Sequence, residues 1–253
     1  MFHLTLVITA YFSYILNLLT TAPVALHTCR SCSVGVVPSE SVSFSASSLL
    51  VTFSLMLTVS PLSSPGDCYT NPVIDSDNPD PSAIALPTGG YIVVATHGTW
   101  SSDDAFSIHY SPDLVSWELQ GYIFPGGSWP AWCDHNMWAP EIRYVSGRYL
   151  AYFSCAAANG RRSVGVAVSQ TDSYLGPYED IGVPLVYHNE DSVVGCLDQT
   201  YFKDPVTGKD YLLWKTDKLV PLIIGVIYIQ ELEENGIALK NGSSKVKILQ
   251  VDQ

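Results

Sequence analysis

Short apolar runs alternate with turn residues from residue 67 onward, and the runs recur in three similar units. Tyr91–Ala95 follows a Gly-Gly turn, Tyr149–Phe153 follows Gly147-Arg148, and Tyr211–Trp214 follows Gly208-Lys209-Asp210. The leading tyrosines of these runs stand 58 and 62 residues apart. Runs of this kind, bounded by Gly, Pro and Asp, predict β-strands. A repeat of this length made of strands is typical of a β-propeller blade.

Each unit carries further strand signals, and none of them shows a helical period with caps. About four antiparallel strands per unit are expected, which predicts an all-β chain with about three blades. The additional predicted strands are Ser107–Tyr110, a strand beginning at Trp117, Ser163–Val168, Ile227–Gln230 and Val246–Leu249.

A carboxylate opens each unit: Asp80 in the first, Glu141 in the second and Asp198 in the third. In a radial array of sheets, matching points of successive units converge near the common axis. The three carboxylates are therefore candidates for one site. Each also has a plainer interpretation, since Asp-Pro-Ser is a good turn sequence and Asp198 suits a strand end.

Residues 1–66 have a different composition from the rest of the chain. Residues 1–20 are apolar without Lys or Arg, and a second apolar run covers 49–59. The pattern predicts a targeting or extension segment over 1–66, a partial propeller domain over 67–253, and a secreted protein. Two alternatives remain: an upstream extension with the true start nearer Met56, or one uncleaved anchor. No stable membrane partner is expected unless the segment stays uncleaved.

The composition disfavours one class of binding partner and favours another. The net charge is −12 with only 12 Lys and Arg, which argues against a nucleic-acid partner. Aromatic residues make up 11% of the chain, which favours a neutral polymer such as a glycan. Cys29 and Cys32 form a lone C-x-x-C without a second metal-binding pair. The other four cysteines allow up to two disulfides in an exported protein, with the pairing left open.

Four short motifs, in order, resemble glycoside hydrolase family 43. They are Asn71–Ile74 with Asn78–Ser82, then Ser111–Trp117, Trp138–Glu141 and Leu197–Phe202. The resemblance covers roughly residues 69–217. It implies the family's five-bladed β-propeller, and inverting cleavage of α-L-arabinofuranosyl or β-D-xylosyl linkages in plant cell-wall polysaccharide or oligosaccharide. It implies no cofactor, and no metal is expected from this chain.

The resemblance assigns roles to two of the carboxylates. Asp80 matches the family's general base, with Asp77 as a nearby competitor, and Asp198 matches the auxiliary carboxylate that orients the general acid and raises its pKa. The family's acid is a Glu in an E-G-P or E-A-P motif, and neither motif occurs in this sequence. We therefore expect a C-terminally truncated member with little or no hydrolase activity on nitrophenyl glycosides. The alternatives are a catalytically dead glycan-binding fragment and a non-functional product.

Four further residues are candidates for substrate binding: Glu141, Trp100, Trp132 and Trp138. Tryptophan faces stack on the apolar faces of sugars, which favours a subsite wall. The alternative is packing between blades, which suits Trp138 because it adjoins Pro140. Glu141 either contacts sugar hydroxyls or is a satisfied core acid.

Overall fold

The computed structural model describes residues 69–96, 103–187, 193–219 and 223–250. The expectations for residues 1–66, the boundary at 66/67 and Trp100 lie outside these ranges and stay predictions. Within them, no helix is long and apolar enough to cross a membrane.

The described residues form twelve β-strands in three antiparallel meanders, with one 3-10 turn at Pro125–Gly127. The first sheet contains β1 (Ser82–Ala85), β2 (Tyr91–Ala95), β3 (Ala105–Ser111) and β4 (Glu118–Phe124). The second contains β5 (His135–Val145), β6 (Arg148–Ala156), β7 (Arg162–Ser169) and β8 (Tyr178–Asp180). The third contains β9 (Val193–Lys203), β10 (Asp210–Leu219), β11 (Ile223–Glu231) and β12 (Val246–Gln250).

The all-β prediction is confirmed, and the predicted strands fall inside observed ones, except that the strand expected to begin at Trp117 begins at Glu118. Within each of these three sheets, every strand pairs with the next along the chain. The second and third sheets join through one parallel pairing, between Arg162 of β7 and Gly195 of β9.

Two hydrophobic clusters fill the spaces between successive sheets. Phe153 packs with Phe106 and Phe124 of the first sheet, with ring centroids 5.9 and 5.2 Å apart. Its neighbour Tyr152 faces the other way, into a cluster that includes Trp214 of the third sheet. Successive side chains of a strand point to opposite faces. The second sheet is therefore buried on both faces, which explains the unbroken apolar run in β6.

A disulfide between Cys133 and Cys155 ties the segment before β5 to β6, with Cα atoms 5.7 Å apart. This spacing is ordinary for a disulfide. It settles one of the pairings that the sequence leaves open. Cys196 is buried in the third sheet, and Cys68 lies outside the described residues.

Candidate functional site

One backbone feature recurs within or just before the first strand of each of the three sheets. Asp80, Ala139 and Asp198 have φ angles of 51°, 49° and 53°, in the left-handed region that non-glycine residues seldom occupy. The three residues are spaced 59 residues apart in each case. Asp80 precedes β1, Ala139 lies within β5, and Asp198 lies within β9. The repeat therefore presents the same strained conformation at one position of every sheet.

The 59-residue spacing changes the alignment of the second unit with the first and third units. The structure places Ala139, rather than Glu141, at the position equivalent to Asp80 and Asp198. Glu141 is two residues further on, in register with Ser82 and Thr200. The site position is therefore a carboxylate in the first and third units and an alanine in the second.

A chain of hydrogen bonds joins the three positions. The Thr96 hydroxyl donates to Oδ2 of Asp80 at 3.1 Å and accepts from the backbone N–H of Ala139 at 2.8 Å. On the other side of the same residue, the Gln199 amide donates to the carbonyl of Ala139 at 2.6 Å. Gln199 directly follows Asp198 in the chain. The relay thus connects the segments that carry the two carboxylates.

Both carboxylates reach solvent. Asp80 is exposed, and the side chain of Asp198 keeps 50% of its surface accessible. Lys215 of β10 lies beside Asp198, with Nζ 3.3 Å from Oδ2. A catalytic carboxylate must be exposed, because it has to contact water and substrate. Lys215 adds one positive charge beside Asp198.

Glu141 lies in a closed environment. Its carboxylate is buried, pairs with Nε of Arg143 at 2.9 Å and accepts the backbone N–H of Tyr201 at 2.9 Å. Burial raises the pKa of Glu141, while the Arg143 charge and the Tyr201 N–H act in the opposite direction. The contact with Tyr201 joins β5 to β9. This placement favours the satisfied core acid among the two interpretations.

The described tryptophans pack within the protein. Trp132 stacks on buried Phe153 with ring centroids 5.8 Å apart, and its indole N–H donates to Asp180 at 3.1 Å. Trp138 is half-buried, and the guanidinium of Arg162 lies 4.6 Å from its ring centroid. Arg162 covers one face of Trp138, so at most the other face is left for a sugar. The substrate-binding roles of both tryptophans stay predictions.

Four residues at this end of the sheets were not anticipated from sequence: Thr96, Gln199, Lys215 and Arg162. Lys215 carried a weak signal, since a lysine in an apolar run is unusual in a buried strand. The contacts of Thr96 and Gln199 span 43 and 60 residues, and no local pattern encodes them. Among the described residues, no three His, Cys, Asp or Glu side chains are grouped so that they could hold a metal ion.

Comparisons with known proteins agree with this architecture. Residues 69–251 match the model of glycosyl hydrolases family 43. A probable arabinan endo-1,5-α-L-arabinosidase C from Aspergillus clavatus is 29% identical over 153 residues, covering 58% of this chain and 42% of the relative. A β-D-galactofuranosidase from Aspergillus niger is 30% identical over 154 residues, covering 56% of this chain and 43% of the relative.

Among solved structures, a thermostable family-43 glycoside hydrolase superposes with a TM-score of 0.62 and 26% identity. The match covers 74% of this chain and 57% of that one. The structural neighbours are β-propellers. This chain spans about half the length of the relatives it matches. With a family match over 69–251 and the same fold, the chain belongs to glycosyl hydrolase family 43.

Proposed function

We propose that this chain carries the water-activating half of an inverting glycosidase site, for α-L-arabinofuranosyl or β-D-xylosyl linkages of plant cell-wall polysaccharide. One observation supports it most directly. Asp80 and Asp198 occupy equivalent positions of the first and third sheets, both reach solvent, and one hydrogen-bond relay connects their segments. We also propose that the three sheets correspond to three blades of a five-bladed propeller.

In this proposal Asp80 is the general base. Its carboxylate takes a proton from a water molecule while the water oxygen attacks the anomeric carbon from the face opposite the leaving group. The bond to the leaving oxygen breaks with its electron pair, so the configuration at the anomeric carbon inverts. Asp198 is the auxiliary carboxylate, which orients the group that protonates the leaving oxygen.

No described residue is assigned here as the group that protonates the leaving oxygen. An inverting glycosidase needs a second carboxyl group roughly 6.5–9.5 Å from the base. The sequence contains no Glu-Gly-Pro or Glu-Ala-Pro, and Glu141 is enclosed by Arg143 and Tyr201. A general acid contributes about 10²- to 10⁴-fold. In this proposal, these 253 residues cleave natural linkages very slowly.

Related proteins support the substrate class. Family relatives act on arabinan, arabinofuranosides and xylosides, all of which are neutral sugars. A net charge of −12 is compatible with such substrates, which carry no charge to be repelled. The disulfide between Cys133 and Cys155 supports folding in an oxidising compartment, and thus the proposed secretion.

The test uses substrates that need no acid. Fluoride leaves without protonation, so α-L-arabinofuranosyl, β-D-xylosyl and β-D-galactofuranosyl fluorides report on the base alone. We expect turnover of at least one of the first two, with the inverted anomer as the first product seen by NMR. Xylo- and arabino-oligosaccharides should be cleaved far more slowly than the fluorides, because their leaving groups need the proton. Retention of configuration would contradict the proposal, as would turnover of the galactofuranosyl fluoride alone.

A further inference from the structure

We propose that Thr96 and Gln199 are positioning residues that clamp the Ala139 peptide group from both sides and fix Asp80 relative to Asp198. The catalytic part of this inference rests on the proposed function. The structural part, which is the clamp itself, does not. Neither residue carries a carboxylate or contacts solvent appreciably, so their effect must act through the groups they hold.

The Thr96 hydroxyl both donates and accepts a hydrogen bond. The side chain is buried, with 6% of its surface exposed. A hydroxyl has a single proton to donate, and here that proton points to Oδ2 of Asp80, at 3.1 Å. The oxygen also accepts the N–H of Ala139, at 2.8 Å. Among the described residues no hydrogen bond engages Oδ1 of Asp80, so this oxygen is left to bind the nucleophilic water.

Gln199 holds the other side of the same residue. Its amide nitrogen donates to the Ala139 carbonyl at 2.6 Å, and its amide oxygen accepts from the Ser154 hydroxyl at 2.7 Å. Gln199 is 4% exposed and Ser154 is fully buried. Both polar ends of the amide are therefore satisfied, and the side chain has one orientation that fulfils both bonds.

The left-handed conformation of Ala139 is the reason that a clamp is needed. The pairing between β5 and β6 shifts register on either side of Trp138, and no ladder pair includes Ala139. Backbone N–H and C=O groups that leave a ladder and are shielded from water must find other partners. Thr96 from the first sheet and Gln199 from the third sheet supply them. Ala139 thereby becomes the fixed point between the two carboxylate segments.

The clamp predicts a positioning effect on the reaction. A displacement of about 1 Å at a reacting group costs about 10²-fold in rate. Without the Thr96 hydroxyl, Asp80 loses its only described hydrogen-bond partner and can rotate away from the water. The affinity for the sugar should change little, because Thr96 is buried beneath the carboxylate rather than exposed to a ligand.

The experiment compares Thr96→Val, Thr96→Ser and a matched control, Thr216→Val. Valine keeps the shape of threonine and removes the hydroxyl, and serine restores it. Thr216 is a buried threonine of β10, as Thr96 is a buried threonine directly after β2, yet the Thr216 hydroxyl has no partner among the described residues. If Thr96→Val does not fold, Ser154→Ala loosens the clamp from its other end and takes its place.

The first readout is amide hydrogen exchange at Ala139, which needs no activity. We expect Thr96→Val to raise its exchange rate by about 10-fold or more, with Thr96→Ser and Thr216→Val close to wild type. Unchanged protection in Thr96→Val would overturn the clamp. This result stands whether or not the protein cleaves a glycosyl fluoride.

The second readout is turnover of the glycosyl fluoride. We expect Thr96→Val to lower kcat by about 10- to 100-fold with KM within about twofold, and Thr96→Ser to recover most of it. A wild-type protein without turnover would contradict the proposed function and leave the clamp to be judged by exchange. Lost protection at Ala139 with an unchanged kcat would overturn the positioning role alone.

Discussion

Three residues at one position of the repeat adopt a conformation that ordinary side chains avoid. The left-handed region costs an L-residue roughly 1–2 kcal/mol, although Asp tolerates it better than most. Asp80 and Asp198 are of a residue type that adopts this conformation more readily, whereas the alanine at 139 is not. Strain of this kind persists only where the surroundings over-determine it, and it concentrates at functional sites. The relay through Thr96 and Gln199 supplies that constraint.

A substitution of Glu141 can distinguish its two interpretations. A core acid contributes to stability, whereas a residue that contacts sugar hydroxyls contributes to sugar binding. Glu141→Ala leaves the Arg143 side chain, which is 12% exposed, without this carboxylate and removes the acceptor for the Tyr201 N–H. We expect a loss of about 3 kcal/mol in the free energy of unfolding, measured with urea. Glu179→Ala, at an exposed position of β8, should change it by about 0.5 kcal/mol or less. Normal stability with lost sugar binding would instead assign Glu141 to the substrate.

His109 in β3 should make stability depend on pH. It is 8% exposed, its Nδ1 has no partner among the described residues, and burial lowers the pKa of His109. The unfolded chain takes up a proton near its ordinary value of about 6.5, whereas the folded imidazole stays neutral. This contribution to stability is therefore complete above about pH 6.5 and is lost as the pH falls toward the lowered pKa.

The comparison that isolates this group is His109→Gln against wild type. Between pH 7 and pH 5, we expect the free energy of unfolding to fall more steeply in wild type than in the variant, measured by urea denaturation at each pH. Parallel curves for the two proteins would show that His109 takes up its proton equally in both states.

At the scale of elements, the second and third sheets approach each other closely at one pair of residues. A single parallel pairing joins Arg162 of β7 to Gly195 of β9. A Cβ atom at Gly195 would lie 2.6 Å from the backbone nitrogen and oxygen of Arg162, and backbone atoms cannot rotate aside. This glycine is present because the two strands approach closely, three residues before Asp198.

Gly195→Ala should force the two strands apart. We expect a loss of about 1–3 kcal/mol in the free energy of unfolding, the usual range for overpacking. Gly121→Ala is the matched control, because Gly121 has the same φ of 156° as Gly195 and a Cβ there meets nothing within 4 Å. A control-like result for Gly195→Ala would mean that the junction opens without cost, and the close approach of β9 to β7 would then be wrong.

The hydrophobic pattern of the sequence predicts some strands of these sheets better than others. Strands β2, β6 and β10 have apolar residues on both faces, and their sequences revealed them directly. The first strand of each sheet gives a weaker signal, because a left-handed residue precedes β1 and interrupts both β5 and β9. The alignment of Glu141 with Asp80 and Asp198 followed residue type alone. Backbone geometry puts Ala139 there instead, and a lone alanine gives no signal in a sequence.

For the whole molecule, the disulfide between Cys133 and Cys155 anchors the loop-rich segment ahead of β5 to the middle of the second sheet. Closing a loop with a sequence separation of 22 stabilises a protein by about 3 kcal/mol in the chain-entropy description. The double variant Cys133→Ala/Cys155→Ala should lose about that much in the free energy of unfolding. A loss below about 1 kcal/mol would contradict this account of the bridge.

We propose that acidic residues of separate sheets meet at one site, with Asp80 as the base. The most direct measurement is the initial rate of glycosyl fluoride hydrolysis by wild type, Asp80→Asn and Asp77→Asn. Asp77 is an exposed carboxylate three residues away, so its variant controls for charge and local sequence. We expect Asp80→Asn to lose about 10²-fold or more and Asp77→Asn to keep the wild-type rate. Equal rates for wild type and Asp80→Asn, or a loss confined to Asp77→Asn, would contradict the account.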